Sequence, residues 1–182
     1  MKNLLLLLLT VFALNSCSNN DDNKPSTPKT ELEKLPPATQ TGANTAGCLV
    51  NGKAFLPKGF IPGTNPLSYQ DDLNFVLFIG ERNNEIINSL GIFSLNKHLT
   101  EGLIIPLKLN LNDSSQTNAY GTYVDFTNGT GDHNTTDIIV GELKITHHDF
   151  NNAILSGTFW FDAVNSNGEI IEVREGRFDR HY

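Results

Sequence analysis

The stretch TNGTGDHNTTD, from Thr127 to Asp137, gathers a dense set of oxygen- and nitrogen-bearing side chains. Asp132, His133 and Asp137, with Asn134 among them, are residue types that coordinate a cation or hydrogen-bond a polar ligand. A helix-loop-helix calcium site needs oxygens at alternating positions, a glycine at the sixth and a bidentate glutamate at the twelfth. Counted from Asp132, the sixth residue is Asp137 and the twelfth is Leu143, so that spacing fails. The stretch reads as a polar hairpin loop. Asp132, His133 and Asp137 stay as candidate ligand-binding residues, and no metal or cofactor is assigned.

The other reactive side chains are scattered. His147 and His148 are adjacent, and neighbours on a strand point to opposite faces, so one metal does not take both without a bend. They read as solvated strand-end histidines, and His98 in LNKHLTEG reads the same way. Asp162, Glu169, Glu172, Glu175 and Asp179 bring carboxylates close in sequence, the raw material of glycoside hydrolysis. Arg174, Arg177 and Arg180 interleave with the last of them, which predicts cross-strand ion pairs on a solvated face. Cys48 sits among small and apolar residues in TAGCLVNGKAF and reads as a buried, unreactive thiol. No nucleophile elbow, zinc-protease helix or phosphate-binding loop occurs. No catalytic residue is named, and the chain is expected not to be an enzyme. Trp160, flanked by Phe159 and Phe161 in GTFWFDAV, falls on the face opposite the two phenylalanines. If those rings face the core, the indole lies on the outer face or lines a groove, where it either stacks on a sugar or covers a second apolar layer.

The elements that carry these residues follow a two-residue rhythm. Leu73, Phe75, Leu77 and Ile79 alternate, as do Leu103, Ile105, Leu107, Leu109 and Leu111, with Pro106 marking an edge strand. Tyr120, Thr122, Val124 and Phe126 share one face of the next strand. Asn51-Gly52 is a type I′ hairpin signal. Asn83-Asn84, Asp149–Asn152 and Asn165–Gly168 punctuate later turns. Ile171 and Val173 share a face that Phe178 rejoins only through a bulge at Glu175-Gly176. No stretch carries a sustained helical stripe. The fold class is all-β: an antiparallel sandwich of about eight or nine short strands, or a closed or partly closed barrel. The expected core is Leu77, Ile79, Phe93, Leu107, Phe126, Leu143, Ile145, Phe159 and Phe161.

The start of the chain gives an address. The apolar run Leu4–Leu14 is about half the ~20 residues that cross a bilayer. It follows Lys2 and precedes small residues, the order of a secretory signal peptide. Leu14-Asn15-Ser16-Cys17 resembles the lipobox of bacterial lipoproteins. That resemblance implies cleavage before Cys17, lipidation of its thiol and acylation of its amine, and two or more acyl chains hold a protein stably at a membrane. Residues 1–16 are then the signal peptide and 17–46 a lipidated, disordered tether rich in Ser, Asn, Thr and Pro. Residues 47–182 form the β-rich domain. The net charge of −7 and the lack of a basic stripe argue against nucleic acid.

LPPATQTGANTAGCLVNGKAFLP at Leu35–Pro57 and SGTFWFDAVNSNGEIIEVREGRFDRHY at Ser156–Tyr182 resemble the two ends of a family of Bacteroidetes lipoproteins whose domain has no known function. The resemblance implies an exported, β-rich lipoprotein and no activity. SNNDD after Cys17 resembles the serine-plus-acid export signal of Bacteroidetes surface lipoproteins, with the acids displaced to Asp21 and Asp22. The expectation is an outer-membrane lipoprotein, with the cell surface favoured over the periplasmic face. Its β-domain binds a glycan or protein partner. The alternatives are a hydrolase of an envelope or extracellular polymer and a structural or assembly lipoprotein.

Overall fold

The computed structural model describes residues 28–58, 66–82, 87–109, 119–127, 129 and 131–182. Cys17, the whole leader and the Asn83-Asn84 turn lie outside them. Eleven strands are described: β1 (Thr45–Val50), β2 (Lys53–Phe55), β3 (Leu67–Gln70), β4 (Asn74–Arg82), β5 (Ile87–Leu95), β6 (Ile104–Leu107), β7 (Ala119–Asp125), β8 (Gly131–Asn134), β9 (Gly141–Asp149), β10 (Ile154–Val164) and β11 (Ile170–His181). All strand ladders are antiparallel. The count exceeds the sequence expectation because β3 and β8, each of four residues, carry too little alternation to stand out. The β1–β2 turn has φ of 48° at Asn51 and 75° at Gly52, the pair of left-handed residues that a type I′ turn requires.

The fold is an antiparallel β-sandwich. One layer runs β2-β1-β11-β10-β9-β6 and the other β3-β4-β5-β7-β8. The long β10 joins them, pairing with β9 through most of its length and with Asn134 of β8 at Val164. Among the described residues the ladder path ends at β2 and β3 and closes no barrel. Cross-layer ring contacts show the two faces meeting: Phe55 with Tyr123 at 5.8 Å, Phe75 with Phe178 at 5.9 Å and Tyr69 with Tyr182 at 5.3 Å. Pro106 does mark an edge, since among the described residues the β6 ladder pairs with β9 alone.

Seven of the nine expected core residues are buried: Leu77, Ile79, Leu107, Leu143, Ile145, Phe159 and Phe161. Two are not. Phe93 is half-buried on the outer face of β5, stacked on Tyr120 at 4.9 Å. Phe126 is 62 % exposed just past the end of β7. Both trace to the facing of β7, whose buried residues are Ala119, Gly121 and Tyr123, not Tyr120, Thr122 and Val124. The physical reason is Phe161 of β10, whose ring would lie 2.7 Å from a β-carbon at Gly121. Only a bare backbone lets that ring cross the sandwich, so the glycine sets the inward face. In β11 the expected bulge is present, with Glu175 at φ 54° and Phe159 opposite Gly176 while Phe161 is opposite Val173. It returns Phe178 to the core beside Ile171 and Val173.

The domain begins earlier than residue 47, which corrects the reading of 17–46 as a disordered tether over its described part. β1 starts at Thr45, and Leu35 is buried after a single 3-10 turn, Leu32–Lys34. The segment between them straps across the end of β11. Asp179, only 1 % exposed, accepts hydrogen bonds from Thr39 Oγ1 at 2.7 Å, Thr41 N at 2.9 Å, Gly42 N at 2.8 Å, Ala43 N at 3.1 Å and Ser156 Oγ at 2.8 Å. Burial pushes the carboxyl pKa up; the donors from Thr39, Ala43, Thr41 and Ser156 outweigh it and hold the group well below the usual carboxylate range. A polar segment too poor in apolar residues to form a core is thus fixed through its backbone amides.

Candidate functional site

Trp160 is where the sequence pattern and the structure meet. Alternation along β10 puts Phe159 and Phe161 into the core and leaves the indole 40 % exposed on the outer face. The β11 bulge leaves Arg174 and Glu175 opposite it. Arg174 is the anchor of the surface. Its Nη1 donates to the carbonyls of Phe161 at 3.1 Å and Val173 at 2.9 Å and lies 2.6 Å from Asp162 Oδ1. Its guanidinium carbon sits 5.6 Å from the Trp160 ring centroid, within cation–π range. Arg177 donates Nε to the Glu175 carbonyl at 3.0 Å and Nη2 to its carboxylate at 3.1 Å.

Beside the indole runs a groove of about 430 Å³. Glu142, the β9 partner of Trp160, lies on one side, the Arg174–Arg177 bulge on the other, and Ala38 of the N-terminal strap completes the wall. Indole, guanidinium, carboxylate and the Thr158 hydroxyl therefore line one open cleft. Arg174 pairs across the strands with Asp162, as the charge pattern predicted, whereas Arg177 turns to Glu175 on its own strand. Asp179 departs from that pattern, serving the strap in place of an arginine.

The three residues of the Thr127–Asp137 stretch do not converge. His133 is 3 % exposed, edge-on to Tyr123 at 6.2 Å between ring centroids. Asp132 precedes it on β8 and is exposed, and Asp137 is exposed beyond the strand. Alternation separates the first two, so the stretch offers no common site. Cys48 is fully buried, and burial pushes its thiol pKa far up, as expected for an unreactive group.

Two clusters escaped the sequence reading. Among the described residues, Asp71, Asp72 and His98 place three donor atoms within 4.8 Å of one another, all exposed. His98 Nδ1 lies 2.6 Å from Asp71 Oδ1, to which the Tyr69 hydroxyl also donates at 2.5 Å. That hydroxyl bond is the main cause that lowers the Asp71 pKa, while burial and Asp71 push Tyr69 up to about 12. His148 is not a solvated strand end. It bonds the Leu99 carbonyl at 2.7 Å and the Tyr182 hydroxyl at 3.0 Å and stacks on Phe150 at 3.7 Å. His147 turns the other way, to Glu101 at 3.2 Å. Only the opposition of the two histidines was legible; the partners come from distant loops. No protein-family model, no curated protein and no solved structure matches this chain.

Proposed function

We propose that the chain is an exported lipoprotein, lipidated at Cys17, whose β-sandwich binds a glycan on the Trp160 face without turning it over. The signal-peptide order and the Leu14–Cys17 lipobox support the anchor, and SNNDD supports the outer membrane with the cell surface favoured. One observation carries the binding reading: an exposed indole, steadied by Arg174, beside a groove lined by donors and acceptors of both signs. A pyranose presents an apolar C–H face to stack on such a ring and hydroxyls for the polar rim. Aromatic stacking contributes about 0.5–1.5 kcal/mol beyond buried area. With a few hydrogen bonds of about 1 kcal/mol net each, the affinity falls in the range of roughly 0.1–1 mM for one sugar unit. Tighter binding requires several units along the groove.

The test is a panel of envelope and extracellular oligosaccharides, scored by thermal shift and by product release, on wild type and Trp160→Ala. Stabilisation by at least one glycan, lost in the variant with folding intact, is the expected result. Product release abolished by Asp162→Ala or Glu172→Ala would overturn the non-enzymatic reading. A protein partner with no glycan response would support the assembly reading in its place. The anchor has its own test: Cys17→Ala is expected to leave the membrane fraction, and retention after a high-salt wash would refute it.

A further inference from the structure

A second groove, of about 400 Å³, opens at the far end of β11, between the N-terminal strap and the segment after β2. Its walls are Pro36, Leu56 and Pro57, and its polar side chains include Arg180, Lys34 and Asn44. No carboxylate is among its lining residues. That is unusual in a chain of net charge −7, in which Arg174 and Arg177 are both ion-paired.

The three nearest acids in sequence are already committed, Glu33 to the Thr30 amide at 2.7 Å and hydroxyl at 2.9 Å. Asp179 alternates to the opposite side of β11 from Arg180 and is taken up by the strap amides. Glu31 contacts Lys34 Nζ at 2.5 Å and accepts the Ala54 N–H at 2.9 Å. Lys34 has three protons to donate, so the contact with Glu31 leaves two. Arg180 is half-buried against apolar walls, and among the described residues no hydrogen bond or ion pair of its side chain is present. Desolvation lowers its pKa. A cation partly removed from water without a counter-charge is costly, and structures hold such groups where a ligand supplies the missing charge.

We infer that this groove is an oxyanion site that takes a phosphate group, with Arg180 gripping it through its planar fork and Lys34 adding a second positive charge. A phosphate monoester carries close to two negative charges at neutral pH, matching two cations, and its tetrahedral oxygens accept both arms of a guanidinium. The group can come from free phosphate or from a lipid headgroup, since the chemistry presented is the same. The site stands apart from Trp160, and its failure would leave the glycan reading untouched.

The experiment uses the full chain in non-ionic detergent, titrated with inorganic phosphate at constant ionic strength against chloride, and separately with dihexanoyl phosphatidic acid. The expected result is a saturable rise in Tm of ~2–4 °C, absent in Arg180→Gln and reduced in Lys34→Gln. Arg180→Lys keeps the charge but not the fork, and should weaken binding about tenfold. This variant decides the matter if Arg180→Gln fails to fold. A lipid that binds at least ~10-fold tighter than inorganic phosphate assigns the headgroup as the source; equal affinities assign free phosphate. A response no larger than that of chloride, or one that Arg180→Gln and Arg180→Lys retain in full, would overturn the proposal.

Discussion

Replacing Asp179 by alanine removes the acceptor on which the N-terminal strap is hung. Five donors lie within 3.1 Å of its carboxylate: Thr39 Oγ1, Ser156 Oγ and the amides of Thr41, Gly42 and Ala43. Hydrogen bonds to a charged acceptor contribute about 1.5–3 kcal/mol each, but burying the carboxylate costs several kcal/mol, so the sum overstates the net. The useful bound comes from what is left behind. Three orphaned amides would cost about 1–3 kcal/mol each if they stayed buried, and the strap can relieve part of that by moving into water. A loss of about 3–5 kcal/mol is expected for Asp179→Ala. Asp179→Asn keeps the shape but turns an NH₂ towards donors, for about 2–4 kcal/mol.

The pH dependence follows from the sign of the shift. The folded pKa lies below the usual range, and the unfolded value is about 3.9. The contribution is therefore complete above about pH 5 and is lost as the pH falls through 3.9 towards the folded pKa. Denaturant unfolding at pH 7 and pH 3 reads both. The gap in stability between wild type and Asp179→Asn should be large at pH 7 and narrower at pH 3. A variant within about 0.5 kcal/mol of wild type at pH 7, or a gap independent of pH, would show that Asp179 does not hold the strap.

Further outcomes follow from the same structure. A chain shortened to begin at Thr45 should lose more stability than Asp179→Ala, because buried Leu35 and the Glu31 bond to the Ala54 N–H go with the strap; adding Asp179→Ala to the shortened chain should cost little more, and fully additive losses in denaturant melts would show that Asp179 does not act through the strap. Gly141→Ala should destabilise by about 2–3 kcal/mol, since its β-carbon would fall on Phe161 and on the Trp160 carbonyl oxygen. A melt unchanged by that substitution would mean that β9 and β10 do not approach as described. The Cys48 thiol, fully buried and pushed far above its ordinary pKa, should alkylate at least ~10³-fold more slowly in native than in unfolded protein. Peptide-resolved mass spectrometry checks this, and fast native labelling would contradict it.

Much of the sandwich was legible because burial on one face of a strand writes a two-residue period. Phe75, Leu77 and Ile79 show it, and Asn51-Gly52 carries its turn in the backbone preferences of two residues. The β11 bulge was legible as a condition, since Phe178 could rejoin Val173 in no other way. The face of β7 was not, because tyrosines serve either side and the deciding contact, Gly121 under Phe161, spans the two layers. The strap was hidden for a related reason. Its polar composition is that of a free spacer, and what fixes it is a set of main-chain amides meeting a carboxylate more than 130 positions away. Trp160 was legible as an outward residue, while the groove beside it depends on Ala38 and the bulge, which only the fold brings together. Asp71 and His98 likewise meet through loops with no shared pattern.

Trp160 is the only tryptophan in the chain, so its fluorescence reports on the proposed site with no background from elsewhere. Titrating the intact protein with oligosaccharides while recording tryptophan emission measures binding at that residue directly. Glycan binding on the indole should give a saturable change in intensity or wavelength with at least one glycan, at half-saturation of roughly 0.1–1 mM for a single sugar unit and lower for longer chains. Emission unaltered by every glycan, or a glycan whose calorimetric binding is the same in wild type and Trp160→Ala, would contradict it.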